Sequence, residues 1–265
     1  MRTGRMRPHR VRSERSGWLA DVTGLVAMDL RQFVDNRLFA VSTLLTSVSM
    51  VLAFGAATDQ MVSPSDSATN YFGFVFPGIV ASGIMFSCTY TVGYTMIIDR
   101  NRRTIEDLIL SPLSYSGFLL ARLVGVVLKC LFQFILVLVL GVWVFDARIE
   151  SMPLFVLGFL ATCMAFAGLG IMVATYTNEI SFPGVVNIIV IPLMYFAGIF
   201  FPLRNLGTLG SVFERLPLAV HVEVFRAATG EGPSVSVLSL VLAVTYALLA
   251  VGIASFAFRW RIGHG

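Results

Sequence analysis

Residues 117–145 read GFLLARLVGVVLKCLFQFILVLVLGVWVF, and this stretch decides the fold class. Arg122 and Lys129 are its only charges. A helix needs about 20 mainly apolar residues to cross the hydrocarbon core of a bilayer. The run exceeds that length and lacks the in-and-out alternation of a barrel wall, so it reads as a transmembrane helix. Working outward, five more stretches meet the same standard, at 38–58, 73–98, 153–177, 183–201 and 234–258. The runs at 73–98 and 117–145 are long enough to tilt or to project beyond the membrane. The expected fold class is all-α integral membrane, a six-transmembrane-helix bundle.

Composition agrees. Hydrophobic residues make up 57% of the 265 and charged residues 13%, and the mean hydropathy is +0.83. A soluble domain carries roughly 25% charged residues, so much of this surface is expected to face lipid. The length suits one helical bundle and is short for a bundle plus an ATPase domain. A phosphate-binding loop needs Gly-Lys-Ser/Thr, yet Lys129 is the only lysine and follows Leu128 inside an apolar run. No nucleotide site, cofactor or nucleic-acid partner is expected in this chain.

Basic residues set the orientation. With the N-terminus inside, 13 of the 19 lie in the N-terminal region to residue 37, the 99–116 loop and the C-terminal end, while Arg148, Arg204, Arg215 and Arg226 lie outside. Both termini are therefore expected in the cytosol, with residues 1–16 a basic cytosolic tail rather than a signal peptide and 259–265 a cytosolic C-terminus. Residues 17–37 read as an amphipathic interface helix. Trp18, Val22, Leu25, Val26, Leu30, Phe33 and Val34 form its apolar face, with Asp21, Asp29, Arg31, Gln32 and Asp35 between them. It suits the membrane surface or a protein partner located there. Residues 202–232 are interrupted by Pro202, Gly207, Gly210, Pro217 and Gly230; they read as short outward re-entrant helices or as a surface loop.

The loop after the second span contains Thr104, which suits a helix cap, then Glu106 and Asp107 in the first turn, where carboxylates favour the dipole. Ile105, Leu108 and Ile109 give an apolar ridge, and Pro112 ends the helix. A ridge with basic flanks is suited to docking a cytosolic partner. A topology anchor would account for the arginines but not for the ridge.

At these residues the chain resembles the type-2 ABC exporter permeases, a family that includes drug-resistance, nodulation-factor and cell-surface glycan exporters. The likeness rests on Tyr71 to Val80 with Phe76-Pro77-Gly78, on Asp99 to Ser114, and on Gly198-Ile199-Phe200-Phe201-Pro202 followed by Leu216-Pro217-Leu218 and Glu223-Val224-Phe225-Arg226. Arg103 departs from it, since many members have Gly there, and an added charge bears on which ATPase is paired. The resemblance implies a permease domain at 38–258 and a coupling helix at 99–113, in which Arg102, Thr104, Ile105, Glu106, Asp107, Leu108, Ile109 and Pro112 meet the ATPase. It implies two copies of a separate ATPase carrying ATP and Mg, and a second permease, the same or related. It also implies an outward re-entrant segment at 202–232 with Phe201, Pro202, Pro217, Glu223 and Arg226 at the gate. A bacterial cytoplasmic (inner) membrane is the expected location.

Spans two and five carry the residues suited to a pathway, namely Phe86, Tyr90 and Tyr94, then Asn187, Met194 and Tyr195. Ser82 and Thr89 join them, though buried polar residues equally serve helix packing. Arg122 and Lys129, seven apart, share a helix face and suit either a cytosolic vestibule for anionic groups or snorkelling to the headgroups. The expected function is export of a hydrophobic or amphipathic small molecule, a drug or lipid-like compound. A lipid-linked glycan is the alternative within the family, and a secondary transporter or channel the alternative outside it. An intramembrane enzyme would have only His221 and Glu223 to work with. Cys88, Cys130 and Cys163 show no short spacing and read as separate buried apolar residues; with His9, His221 and His264 scattered, no metal site is expected.

Overall fold

The computed structural model describes residues 18–35, 37–61, 71–102, 115–232 and 236–264. Among these it is all-helical: α1 (Trp18–Asp35), α2 (Arg37–Met61), α3 (Tyr71–Asn101), α4 (Tyr115–Phe145), α5 (Met152–Tyr176), α6 (Phe182–Phe196), a 3-10 turn (Leu203–Leu206), α7 (Thr208–Phe213), α8 (Pro217–Thr229) and α9 (Val237–His264). Four helices, α3, α4, α5 and α9, are long and apolar enough to cross a membrane. The other two expected crossings correspond to α2, whose apolar part is Ser47–Ala57, and α6.

The span expected at 183–201 is shorter than its apolar sequence. α6 has 15 residues, about 22 Å at 1.5 Å per residue. The helix stops because Gly198 takes φ +68°, a left-handed conformation open to glycine. A Cβ on Gly198 would also strike the Leu203 side chain at 2.6 Å. At the other end of the chain, α9 runs to His264, so the last helix extends beyond the expected limit of 258. Prolines at the starts of α5, α6 and α8 fit the first turn, where no amide donor is needed.

α3 is the centre of the bundle, with 89% of its apolar window buried, against 22% for α9 at the rim. It packs most extensively on α5, and α5 in turn on α9. Glycine permits the close approach. A Cβ on Gly170 would sit 2.5 Å from the Thr89 carbonyl oxygen, and one on Gly168 would meet the Ala250 backbone at 2.5 Å. Thr89 Oγ1 donates to the Phe166 carbonyl at 3.2 Å across the same contact. Leu38, Trp143 and Phe256, on α2, α4 and α9, point outward and are largely exposed, as lipid-facing side chains do.

α1 lies against α4. Its inward stripe is Val22, Leu25, Val26 and Asp29, so Asp29 belongs to the face expected to be apolar and is not a solvated residue on the opposite side.

Candidate functional site

Arg122 and Lys129 on α4 are both buried. Arg122 Nη1 is 3.1 Å from Asp29 of α1, its Nη2 pairs with Asp99 of α3, and Lys129 Nζ is 2.8 Å from the same Asp29 carboxylate. Two cations and two carboxylates thus close on each other across three helices. A lone charge in the membrane interior costs about 2.5–3.5 kcal/mol on insertion scales, and mutual pairing removes most of the reason to snorkel. Arg122 also lies over the Phe118 ring at 5.1 Å, and Lys129 is 5.9 Å from that of Phe33. A side chain at Gly125 would collide with Asp29, so α1 reaches this depth only because that position of α4 has no Cβ.

Beside the cluster lies a cavity of about 680 Å³ between α1, α3 and α4. Asp29, Gln32, Phe33 and Asp35 line it from α1, Lys129 from α4, Thr91, Tyr94, Thr95 and Ile98 from α3, and Arg102 from just beyond it. Charged groups of both signs face it from different helices.

From the cavity an aromatic ladder runs along α3. Tyr94, Tyr90 and Phe86 stack in succession at 6.1 and 6.4 Å, and Phe182 of α6 meets Tyr90 and Tyr94 edge-on at 5.8 and 5.2 Å. Tyr90 donates its hydroxyl hydrogen to Asn187 Oδ1 at 2.7 Å. Nearer the far end, Ile199 approaches Gly78 so closely that a Cβ there would lie 2.6 Å away. α6 therefore runs antiparallel to α3. Met194 is half-buried and Tyr195 largely exposed on α6.

At the far end α7, α8 and the 3-10 turn form a cap with a second cavity of about 340 Å³, lined in part by Pro202, Glu223 and Arg226. Arg226 fastens the break after α6. Its Nη2 donates to the Gly198 carbonyl at 2.6 Å, and its guanidinium lies 4.0 Å from the Phe74 ring centroid. Phe201 is exposed. Pro217 opens α8, and its carbonyl accepts from His221 Nδ1 at 2.6 Å. His221 is 0% exposed whereas Glu223 is half-exposed at the cavity, so the two do not form an acid–base pair.

The family model for the ABC-2 type transporter matches residues 22–229. The chain belongs to this family. No protein among curated sequences matches it. Membership makes it a multi-pass transport subunit, and the match takes in all four residues of the buried charge cluster.

Of the residues singled out in this ABC-2 chain from sequence, Tyr90, Tyr94 and Asn187 come together, with Phe86 next in the ladder. Lys129 shares the cavity with Tyr94 but belongs to the charge cluster. Thr104, Ile105, Glu106, Asp107, Leu108, Ile109 and Pro112 lie outside the described residues, and Arg102 is the last residue described before them. Sequence reasoning missed Asp29 and Asp99 as partners. The signal for Asp29 was its spacing, seven after Val22 and four after Leu25, inside the apolar stripe. It also missed Arg100, which donates to the carbonyls of Ala174 at 3.1 Å and Thr175 at 3.3 Å and to that of Thr177. Arg100 thereby closes the C-terminal end of α5, whose last carbonyls have no helical partners.

Proposed function

We propose that this ABC-2 permease exports a hydrophobic or amphipathic small molecule, a drug or lipid-like compound, driven by a separate ATPase. The family implies such an ATPase partner. One observation carries the reading. The cavity of about 680 Å³ takes much of its wall from Thr91 to Arg102, the last turns of the helix leading straight into residues 103–114. In this reading Arg102, Thr104 to Ile109 and Pro112 form the coupling helix, docked on one of two ATPase copies that bind ATP and Mg. Closure of the ATPases displaces that helix, and the continuous helix α3 transmits the movement to the cavity wall.

The substrate then moves from the cavity along Tyr94, Tyr90 and Phe86, facing Asn187 and Met194, towards Tyr195. Lys129 stands at the start of this route, and Phe201, Pro202, Pro217, Glu223 and Arg226 gate its outward end. α2 and α6 complete six crossings, α7 and α8 are re-entrant, and a second permease of the same or related sequence meets the exposed side of α6. Residues 1–16 and 259–265 face the cytosol of a bacterial cell, 17–37 lie at its inner membrane surface, and 38–258 form the permease domain. A cavity of this size falls within the range for small ligands, about 300–1,000 Å³, which favours a drug-sized substrate over a long lipid-linked glycan.

Reconstitution in proteoliposomes with its ATPase tests this. ATP-dependent efflux of an amphipathic dye, with hydrolysis stimulated by the dye, is expected. Transport by the isolated chain on an ion gradient alone would overturn the reading in favour of a secondary transporter.

A further inference from the structure

The protein has three cysteines, and the fold brings all of them to one point. Cys88 comes from α3, Cys130 from α4 and Cys163 from α5. Their sulfur atoms lie within 4.8 Å of one another, with Cys88 and Cys130 at 3.1 Å. Exposures are 0%, 1% and 0%. No metal-binding spacing shows along the chain because the cysteines sit on three separate helices.

We propose that these thiols form a binding site for a soft monovalent metal ion, of which Cu(I) is the representative. A metal bonded to three sulfurs at about 2.3 Å separates them by about 4 Å. Cys88 and Cys130, 3.1 Å apart, must therefore part by about 1 Å, a change that rotation of the side chains supplies while all three sulfurs stay within 4.8 Å of one another. The donor set selects the ion. Thiolates favour soft cations, and a structural zinc site takes four ligands. Among the described residues the group contains neither histidine nor carboxylate. The neighbouring oxygen, Ser87 Oγ at 3.4 Å from Cys130 Sγ, is a hydroxyl and a poor ligand. Ile84, Met85, Val126, Phe134 and Phe166, each within four positions of one of the cysteines, belong to the same buried apolar core, a setting that disfavours water as a fourth ligand. Three-coordinate sulfur in a dry site suits Cu(I).

In this proposal the ion enters from the cavity already described. Thr91 and Lys129 line it. Cys88 lies one turn along α3 from Thr91, and Cys130 follows Lys129 on α4, both on the side away from Arg102. The triad thus sits about one helical turn, roughly 5 Å, beneath the cavity floor. Each thiol that ligates gives its proton to solvent, and Lys129, next along the chain and itself paired with Asp29, is the adjoining cation. A bound ion would tie α3, α4 and α5 together at a single point.

The test uses the full chain, purified in detergent under anaerobic conditions and titrated with Cu(I) against a competing colorimetric chelator. One Cu(I) per chain is expected, with X-ray absorption showing three sulfur neighbours and with a rise in melting temperature. Cys88→Ser, Cys130→Ser and Cys163→Ser should each weaken binding at least tenfold, and the triple variant should bind none. Failure to compete with the chelator, or a wild-type ion with two sulfur neighbours, overturns the proposal. The wild-type coordination number decides this even if a serine variant does not fold.

Discussion

Asp29 serves two cations at once, Arg122 at 3.1 Å and Lys129 at 2.8 Å. Removing one partner of a buried pair is costly because the other charge stays buried, typically about 3–5 kcal/mol. Asp29→Ala should therefore lower the melting temperature clearly and make α1 sensitive to protease. Adding Lys129→Met should recover part of the loss, since an apolar replacement leaves no orphan charge. A double variant as unstable as the sum of the two single variants would contradict the pairing. Tyr90 gives a milder case. Tyr90→Phe deletes one hydrogen bond, worth about 0.6–1.7 kcal/mol between membrane helices, and leaves the ring stack intact. Stability should change little, while dye-stimulated hydrolysis should fall if the ladder contacts the substrate. Equal stimulation in both proteins would make Tyr90 a packing residue.

Among the elements, α3 does most to join the parts, since it packs on α5, lines the cavity and leads into the proposed coupling helix. Its contact with α5 depends on Gly170, where a Cβ would lie 2.5 Å from the Thr89 carbonyl. Gly170→Val should force the helices apart, at about 1–3 kcal/mol for overpacking. Gly252→Ala on α9, where nothing lies within 4 Å of the added atom, should be near neutral. Thermal unfolding of the two variants side by side provides the measurement. Beyond Arg102, Glu106→Ala and Leu108→Ala should leave insertion and folding intact yet uncouple transport from hydrolysis. Full substrate-stimulated hydrolysis and transport in both variants would remove the coupling assignment.

At the level of the whole molecule, the four long apolar helices do not by themselves fix the number of crossings. α6 is about 22 Å long and α2 has a short apolar core, so both depend on their neighbours, on tilt or on local thinning of the bilayer. Six crossings require both termini on one side. A fluorescent protein that matures only in the cytosol should therefore glow when fused to either end, whereas an alkaline phosphatase reporter should stay inactive at both. Reporters that disagree between the two ends would mean an odd number of crossings. Because Arg122 pairs with both Asp29 and Asp99, the three helices α1, α3 and α4 are joined at one side chain.

The apolar runs determined the helices, because in lipid a backbone must satisfy its own hydrogen bonds, and four of them are long and apolar enough to cross a membrane. The charge distribution led only to an expected orientation, and the clustered motifs of residues 71–80, 99–114 and 198–226 pointed to the family that the match over 22–229 shows. Partners remained hidden. Asp29, Asp99, Arg122 and Lys129 are spread over three helices, and the cysteines over three, so no spacing along the chain records their meeting. The early stop of α6 was masked, since its sequence stays apolar through Phe201 and Gly198, whose left-handed backbone ends the helix, is one small residue within that run. Periodicity describes what one helix presents to its surroundings; which charge, ring or sulfur it presents that face to is decided by how closely glycine lets the next helix approach.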